Sequence, residues 1–327
     1  MTVLLTGATG RLGLVFARRL AEDGVRVRAL VRETSDVRAL APLGVEPVVA
    51  RFDDAGALAR AVAGCEVVYH LAVARRPSGD PASSPRAVNI EGTERLARAA
   101  ATAGVDRFVL ASTLGVYGLV TGGIVDEARP VRPNTAYRKT KAEGEAAVRR
   151  VAAETGLPVA VARIPKVVGA GSDRWVGFYR AVAERRIRLV GNGANRIQPI
   201  HNTDLVDALI RCGTAPAAAG ATYVLAGPEP VSLRALADLV ADALGVPAPP
   251  AGPPAVLHRA YLKAEDRLFR WAGWTLPFAR QRELFVLDRV VSTAKAAHEL
   301  GFDPQWAIAA SVREMADDFR ARGLLAA

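Results

Sequence analysis

Apolar residues along the chain fall into short runs separated by stretches with helical spacing. Met1-Thr-Val-Leu-Leu5 is long enough for a buried strand and too short for a buried helix. Leu12-Gly-Leu-Val-Phe-Ala-Arg-Arg-Leu-Ala21 repeats its apolar positions at helical spacing instead, and stops at Gly24. The two patterns then recur. Residues 25–31, 47–53, 66–72, 107–112 and 158–164 read as strands, with helix-length segments between them. Parallel neighbours need crossover helices, so this order predicts an α/β fold built on a doubly wound parallel sheet. Ligands of such sheets bind at the carboxyl ends of the strands, which directs attention to residues 6–13, Arg32, Asp53, 70–74, 111–113 and Pro165.

After residue 166 the rhythm becomes irregular. Residues 198–201 read as a strand, 204–211 as a helix, and 222–226 as a strand that returns to the sheet, so a segment of about 200–226 belongs with the first half. The proline-rich run at 247–254 reads as a stiff surface loop. Helix-spaced segments dominate the last third, and no internal repeat is present. The expected division is a sheet domain over 1–165 and a smaller, mostly helical C-terminal lobe over 166–327 that binds the substrate.

The first strand and first helix meet in Thr6-Gly-Ala-Thr-Gly-Arg-Leu-Gly13. Glycine costs backbone entropy, so three in eight positions call for a reason. At a strand-to-helix junction the first helical N–H groups are unpaired and the helix dipole is positive, and a phosphate sits there if no side chain intrudes. Gly7 allows the tight turn, Gly10 the approach of a pyrophosphate and Gly13 close packing of the helix; Thr9, Arg11 and Leu12 complete the loop. Three glycines alone also fit a plain turn, but a second strand within one βαβ unit favours a dinucleotide site, making the sheet domain a Rossmann NAD(P)-binding domain. NAD sites place an acid at the end of that second strand; this chain has Arg32. A guanidinium grips a 2′-phosphate that an acid would repel, with Arg38 and Arg11 adding to the field, so NADP is the expected cofactor and NAD the second candidate. Solvated surface arginines are the competing account of all three.

With 327 residues, half of them apolar, the chain suits one large nucleotide-binding domain with a lobe attached. The formal charge of +10 suggests nucleic acid until its distribution is read. Arg18, Arg19, Arg95, Arg98, Arg149 and Arg150 are scattered through helices near acids, without a basic block or interleaved aromatics, so no nucleic-acid partner is expected. Only five of the 43 basic residues are lysine, a sign of genomic composition. Cys65 and Cys212 sit among apolar residues, which argues against a disulfide framework and fits a reducing cytoplasm. The first strand starts near Met1, leaving no room for a signal peptide, and no apolar run reaches the length of a membrane span. Four dispersed histidines share no ligand spacing with the cysteines, so no metal site is expected.

Candidate chemistry appears in Asn134-Thr-Ala-Tyr-Arg-Lys-Thr-Lys141, which opens a helix expected to run to Gly156. Tyr137 and Lys141 lie one turn apart on one face. A nearby ammonium and an oxidised nicotinamide both favour the phenolate, which tunes the phenol for proton exchange with an alcohol oxygen. Such a pair is common on surfaces; the preceding glycine loop and βα steps distinguish this one. Here the chain resembles the extended short-chain dehydrogenase/reductase family, also called the NAD-dependent epimerase/dehydratase family. The resemblance rests on the glycine loop, Phe52-Asp53, His70-Leu-Ala72, Asn89-Ile-Glu-Gly-Thr93, Ala111-Ser-Thr-Leu-Gly-Val-Tyr-Gly118, the Tyr137/Lys141 pair and Ser292-Thr-Ala-Lys-x3-Glu-Leu-Gly301. It implies Tyr137 as acid/base, Lys141 lowering its pKa and holding ribose hydroxyls, and Thr113, next to Ser112, bonding the substrate oxygen. It also implies Asp53 at the adenine, Leu71 and Ala72 at the middle of the cofactor, and Pro165 on the nicotinamide side.

Departures from the family pattern narrow the reaction. Its sugar dehydratases carry Asp-Glu after the catalytic Thr, where this chain has Leu114-Gly115, which disfavours dehydration. Its sugar-nucleotide members carry Asn at the place of Lys166, although Arg196 falls where several hold a substrate phosphate. Residues 191–204 and 284–301 look closer to the branch of hydroxysteroid dehydrogenases and flavonoid ketone reductases. The leading expectation is an NAD(P)-dependent oxidoreductase that interconverts a ketone and a secondary alcohol. A nucleotide-sugar epimerase with a transient keto-sugar is the alternative, and a non-catalytic NADP sensor the third. Alanine-rich faces at 85–103 and 137–153 correspond to a helix pair that forms four-helix dimer contacts in the family, so a homodimer is expected.

Overall fold

The computed structural model describes residues 1–75, 79–120, 122–252, 254–272, 274 and 287–325. Seven parallel strands form the central sheet: β1 (Thr2–Thr6), β2 (Arg26–Val31), β3 (Glu46–Val49), β4 (Val67–His70), β5 (Arg107–Thr113), β6 (Val159–Ile164) and a late strand, Thr222–Val224. The late strand pairs with β6, so the chain does return to the sheet. Strands β2 and β3 extend to one side of β1, and β4, β5, β6 and the late strand to the other. Winding therefore reverses between β1 and β4, which pair in register from Val3 with Val67 to Thr6 with His70. A crevice opens at the carboxyl ends of two strands whose connections leave in opposite directions, and ligands of open α/β sheets bind there.

Helix α1 (Arg11–Glu22) packs on one face of the sheet, and α2 (Ala55–Val62), α3 (Thr93–Thr102) and α4 (Ala136–Thr155) on the other. Both ends of α4 are capped: the Thr135 hydroxyl accepts from the Arg138 amide at its start, and Gly156 at φ 76° closes its end. Beyond β6 come α5 (Val176–Ala183), α6 (Asn202–Thr214), α7 (Leu233–Leu244), α8 (Ala255–Ala272), α9 (Ala294–Leu300) and α10 (Ile308–Ala321). Side chains of α6 and α9 join the core that α1 makes with the sheet, whereas α5, α7 and α10 share a separate core around Tyr179, Leu233, Met315 and Phe319. Cys65 and Cys212 are both buried and unpaired. No described helix is long and apolar enough to cross a membrane.

Several boundaries differ from the sequence pattern, each for a local reason. Strand β3 stops at Val49 because a turn follows, ending at Asp54, whose carboxylate caps α2 by accepting from the Ala57 amide at 2.8 Å. Residues 198–201 do not form one strand: Arg196–Ile197 and Ile200–His201 are separate short strands with Pro199, which has no N–H to donate, between them. The helix expected over 85–103 is split into a π-helical turn at Ala87–Gly92 and α3. The Thr93 hydroxyl takes the Asn89 carbonyl at 3.0 Å, and the Gly92 Cα lies against the Phe52 ring, where a Cβ would come within 2.8 Å. Leu284, the start of one stretch used for the family comparison, lies outside the described residues, while Ser292–Gly301 contributes α9 and its left-handed Gly301 terminus.

Candidate active site

At the switch point the glycine loop joins β1 to α1 in a turn closed to side chains. Gly7 adopts φ +75°, and a Cβ there would meet the Ala72 backbone nitrogen at 2.9 Å. A Cβ on Gly13 would sit 2.1 Å from the Gly7 carbonyl oxygen and 2.7 Å from the Ala8 Cα, so the third glycine lets α1 pack onto its own loop. Gly10 is the N-cap of α1 and supplies no side-chain bond, leaving the first amides of the helix without a side-chain cap. Thr9 and Gly10 are exposed at the crest, while Leu12 packs inward against the sheet. Leu71 and Ala72 border the loop from the β4 side; the Ala72 amide donates to the Thr6 hydroxyl at 3.0 Å.

A buried chain of hydrogen bonds holds this edge. The Thr93 hydroxyl donates to the Asn89 carbonyl, so its oxygen accepts from His70 Nε2 at 3.0 Å, and His70 Nδ1 accepts from the Thr6 hydroxyl at 2.8 Å. Burial lowers the His70 pKa to about 3, with Lys141 adding to the effect, so the ring is a neutral strut between β1, β4 and α3. Asn89 extends the network: its amide bonds the Ala74 carbonyl at 2.7 Å and the Thr140 hydroxyl at 3.0 Å, and Thr140 donates in turn to the Tyr137 carbonyl at 2.9 Å. The π-helical turn thereby ties the segment after β4 to the start of α4.

The expected adenosine side is more differentiated than the sequence suggested. Arg32, just past β2, has no carboxylate partner among the described residues. Arg38 already has one: its guanidinium grips Asp36 at 2.6 Å and 2.9 Å, which lowers the pKa of that carboxyl to about 2. Arg11 turns away from β2 and pairs with Asp173, which also holds Arg322. Asp53 is bound by Arg51 at 3.1 Å, and that contact lowers its pKa. Pro165 follows β6 directly and is half-buried. Arg196, the residue at a family phosphate position, is matched by Asp288 at 2.9 Å.

Strand β5 and helix α4 bring the candidate catalytic side chains to one end of the sheet. Thr113 closes β5, and its hydroxyl accepts from the Gly115 amide at 3.1 Å. Ala111 and Thr113 face the same side by the period of a strand. The buried Lys141 ammonium donates to the Ala111 carbonyl at 2.8 Å. Burial lowers its pKa to about 8, against a raising effect of Glu145 and with a further lowering from Arg75. Tyr137 is half-buried one turn earlier. Burial pushes its phenol up, and the cations that pull the other way are Arg75 and Arg138, not the lysine that the sequence pattern singled out. The Arg75 guanidinium carbon lies 5.6 Å from the centre of the Tyr137 ring. Arg138 lies across Gly115, where a Cβ would meet its Nε at 3.0 Å.

Beneath these residues lies a buried ion pair. The Glu145 carboxylate, 1% exposed, receives the Arg163 guanidinium, 5% exposed, at 2.8 Å and 3.2 Å, and the Ser112 hydroxyl at 2.5 Å. Arg163 also donates to the Tyr117 hydroxyl at 2.7 Å. This cluster bolts β5, β6 and α4 together under Lys141. Glu145 stands one turn after Lys141, and Arg163 is a lone charge in an apolar parallel strand; both were signals available in the sequence. Arg75 offered none.

A family model described as the NAD dependent epimerase/dehydratase family matches residues 3–226. Over 92% of both chains, the protein is 29% identical to the 4-hydroxy-2-methyl-3-oxo-4-farnesyl-3,4-dihydroquinoline-1-oxide ketoreductase of Stigmatella aurantiaca. It is 31% identical to the 2-alkyl-3-oxoalkanoate reductase of Stenotrophomonas maltophilia, over 76% of this chain and 77% of that one. Among solved structures, a protein called gox2253 superposes with a TM-score of 0.83 at 27% identity, covering 99% of both chains. The UDP-glucuronic acid 4-epimerase of Bacillus cereus with NAD, at 18% identity and a TM-score of 0.76 over 98% of this chain and 99% of that one, shares the fold.

Proposed function

Because the chain belongs to the NAD-dependent epimerase/dehydratase family, we propose that it is an NADP-dependent reductase of ketones, converting them to secondary alcohols. The observation that carries this reading is the buried Lys141, held on the Ala111 carbonyl one turn from Tyr137, at the end of the strand that presents Thr113. Gly7, Gly10 and Gly13 fit a dinucleotide, since a Cβ at Gly7 or Gly13 would collide with the backbone that shapes the loop, and Gly10 leaves the first amides of α1 without a side-chain cap. NADPH held by the glycine loop would supply the hydride. The chain's own part is to hold the carbonyl oxygen between the Thr113 hydroxyl and the Tyr137 phenol and to pass it the phenolic proton, with the Arg75 and Arg138 cations favouring the phenolate left behind.

Two features favour a reductase over the alternatives. Arg138 takes up the room beside Gly115, where dehydration would need a carboxylate, and Arg196 is committed to Asp288 rather than to a sugar-nucleotide phosphate. Two relatives that match most of the chain are named as reductases of oxo compounds. Arg32, lacking a carboxylate partner among the described residues, supports NADP. The protein acts as a homodimer in this reading. Its interface is the outer face of α3 and α4, where Arg98 with Glu154 and Arg150 with Glu94 already bind the two helices within one chain. The two buried free cysteines suit a cytoplasmic setting.

The test follows the hydride. Purified protein should oxidise added NADPH in step with loss of a ketone from a panel of cyclic and open-chain substrates. Tyr137→Phe should lower turnover roughly 10²–10⁴-fold by removing the proton donor, with NADPH affinity nearly intact. Tightly retained NAD(H), epimerisation of a sugar nucleotide and no net absorbance change would overturn the reading in favour of an epimerase.

A further inference from the structure

Ser112 and Arg163 are register partners on β5 and β6, and both donate to the same oxygen of Glu145, a carboxylate set into the core beneath the site. A second bond from Arg163 reaches the other oxygen at 2.8 Å, and Arg149 approaches it at 3.4 Å. Holding β5, β6 and α4 together does not by itself call for charge, because apolar side chains of similar volume hold such a junction as well as a buried ion pair does. What a carboxylate adds is its field, and that field falls on Lys141. Lys141 and Glu145 lie one turn apart on the buried face of α4. Their side chains reach successive points of β5: the ammonium bonds the Ala111 carbonyl at 2.8 Å and the carboxylate takes the Ser112 hydroxyl at 2.5 Å. The other groups around the ammonium do not support its charge. Arg75, from the segment after β4, opposes it; His70 on β4 is neutral; burial keeps the Tyr137 phenol protonated; and Arg163 on β6 faces Glu145. Glu145 is therefore the anion, among the described residues, that favours the charged form of Lys141.

We propose that Glu145 is a positioning residue of this site: its buried negative charge keeps Lys141 an ammonium, and Ser112 and Arg163 hold the carboxylate where it does so. The inference rests on the ketoreductase reading for the reaction that the ammonium serves, and adds to it a residue that acts only through Lys141. An ammonium has three N–H donors, of which this one gives one to Ala111. The other two remain for the hydroxyls of a bound cofactor, and loss of the proton takes a donor away. Glu145 thus links the core to the chemistry, since the same carboxylate that receives Arg163 sets the charge of Lys141.

The experiment reads the charge of Lys141 directly. Lysine isotope-labelled at Cε reports the ionisation of its own ammonium by NMR, and the chain has only five lysines, so the resonance missing from Lys141→Met is assigned at once. Without nucleotide, that resonance in the intact protein should titrate near pH 8. In Glu145→Gln its midpoint should fall by about one pH unit, the size of shift that a nearby opposite charge supplies. Glu145→Leu with Arg163→Met replaces the ion pair by apolar side chains, so it keeps the test open if the single variant does not fold, and the midpoint should fall there too. The alkaline limb of kcat for ketone reduction at saturating NADPH should move to lower pH together with the resonance. A midpoint that stays in place or rises in the folded variants leaves Glu145 a part of the fold alone and overturns the proposal, as does an alkaline limb that stays in place while the resonance moves. If the resonance moves as expected in a protein that turns over no ketone, the action of Glu145 on Lys141 stands and the ketoreductase reading falls.

Discussion

Lys141 is held in place at the expense of stability, and replacing it with methionine should reveal that. The ammonium is 4% exposed, has no carboxylate in contact among the described residues, and bonds a single carbonyl. Burial takes its pKa from 10.5 to about 8, and at 1.36 kcal/mol per unit this means that the charged form destabilises the folded chain by about 3 kcal/mol at neutral pH. Lys141→Met fills nearly the same volume without charge. It also leaves the Ala111 carbonyl without its donor, at a cost of about 1–2 kcal/mol. The first effect is larger, so the variant should be more stable than the intact protein by about 1–2 kcal/mol at pH 7, raising Tm by roughly 2–6 °C, while losing ketone turnover.

The pH dependence makes the argument strict. Between about pH 8 and 10.5 the folded chain has shed this proton and the unfolded chain has not. In that window the intact protein gains stability relative to the variant as pH rises, and by about pH 10.5 only the lost hydrogen bond remains. The stability difference should shrink and change sign. Denaturant titrations of both proteins without nucleotide, from pH 6.5 to 10.5, measure it. A variant less stable at pH 7, or a difference that does not vary with pH, would refute the account of Lys141 as a strained, buried cation.

Three further outcomes follow from single contacts. Glu145→Gln leaves the Arg163 guanidinium buried without its counter-charge, at a cost of about 3–5 kcal/mol; thermal melts should fall on the order of 10 °C, and Glu145→Leu with Arg163→Met should recover much of the loss. Gly13→Ala places a Cβ 2.1 Å from the Gly7 carbonyl oxygen and must displace the loop, so NADPH affinity in a fluorescence titration should drop about tenfold or more, and an unchanged affinity would contradict the loop geometry. The intact protein should bind NADPH more tightly than NADH, with the gap closing in Arg32→Asp; equal dissociation constants in the intact protein would remove Arg32 from the cofactor site.

What the sequence carries well is whatever depends on local periodicity. The alternation of short apolar runs and helix-spaced segments was enough to predict a parallel sheet, because strands buried on both faces have little room for polar residues. Gly7 and Gly13 were legible for a related reason: a steric requirement tight enough to exclude a Cβ leaves a mark on residue type alone. Boundaries that depend on tertiary partners were not legible. The break in the helix at Ala87–Gly92 needs Phe52 and Gly144 against it, and nothing between residues 85 and 103 announces either neighbour.

Charged residues divide along the same line, and the division bears on how the site works. Arg163 was a visible anomaly, since a guanidinium in an all-buried parallel strand has to find an anion, and Glu145 four residues past Lys141 was in reach. Arg32, Arg38 and Arg11 looked alike as sequence, yet Asp36 and Asp173 occupy two of them, so it is the distribution of carboxylates that decides which cation is available to a ligand.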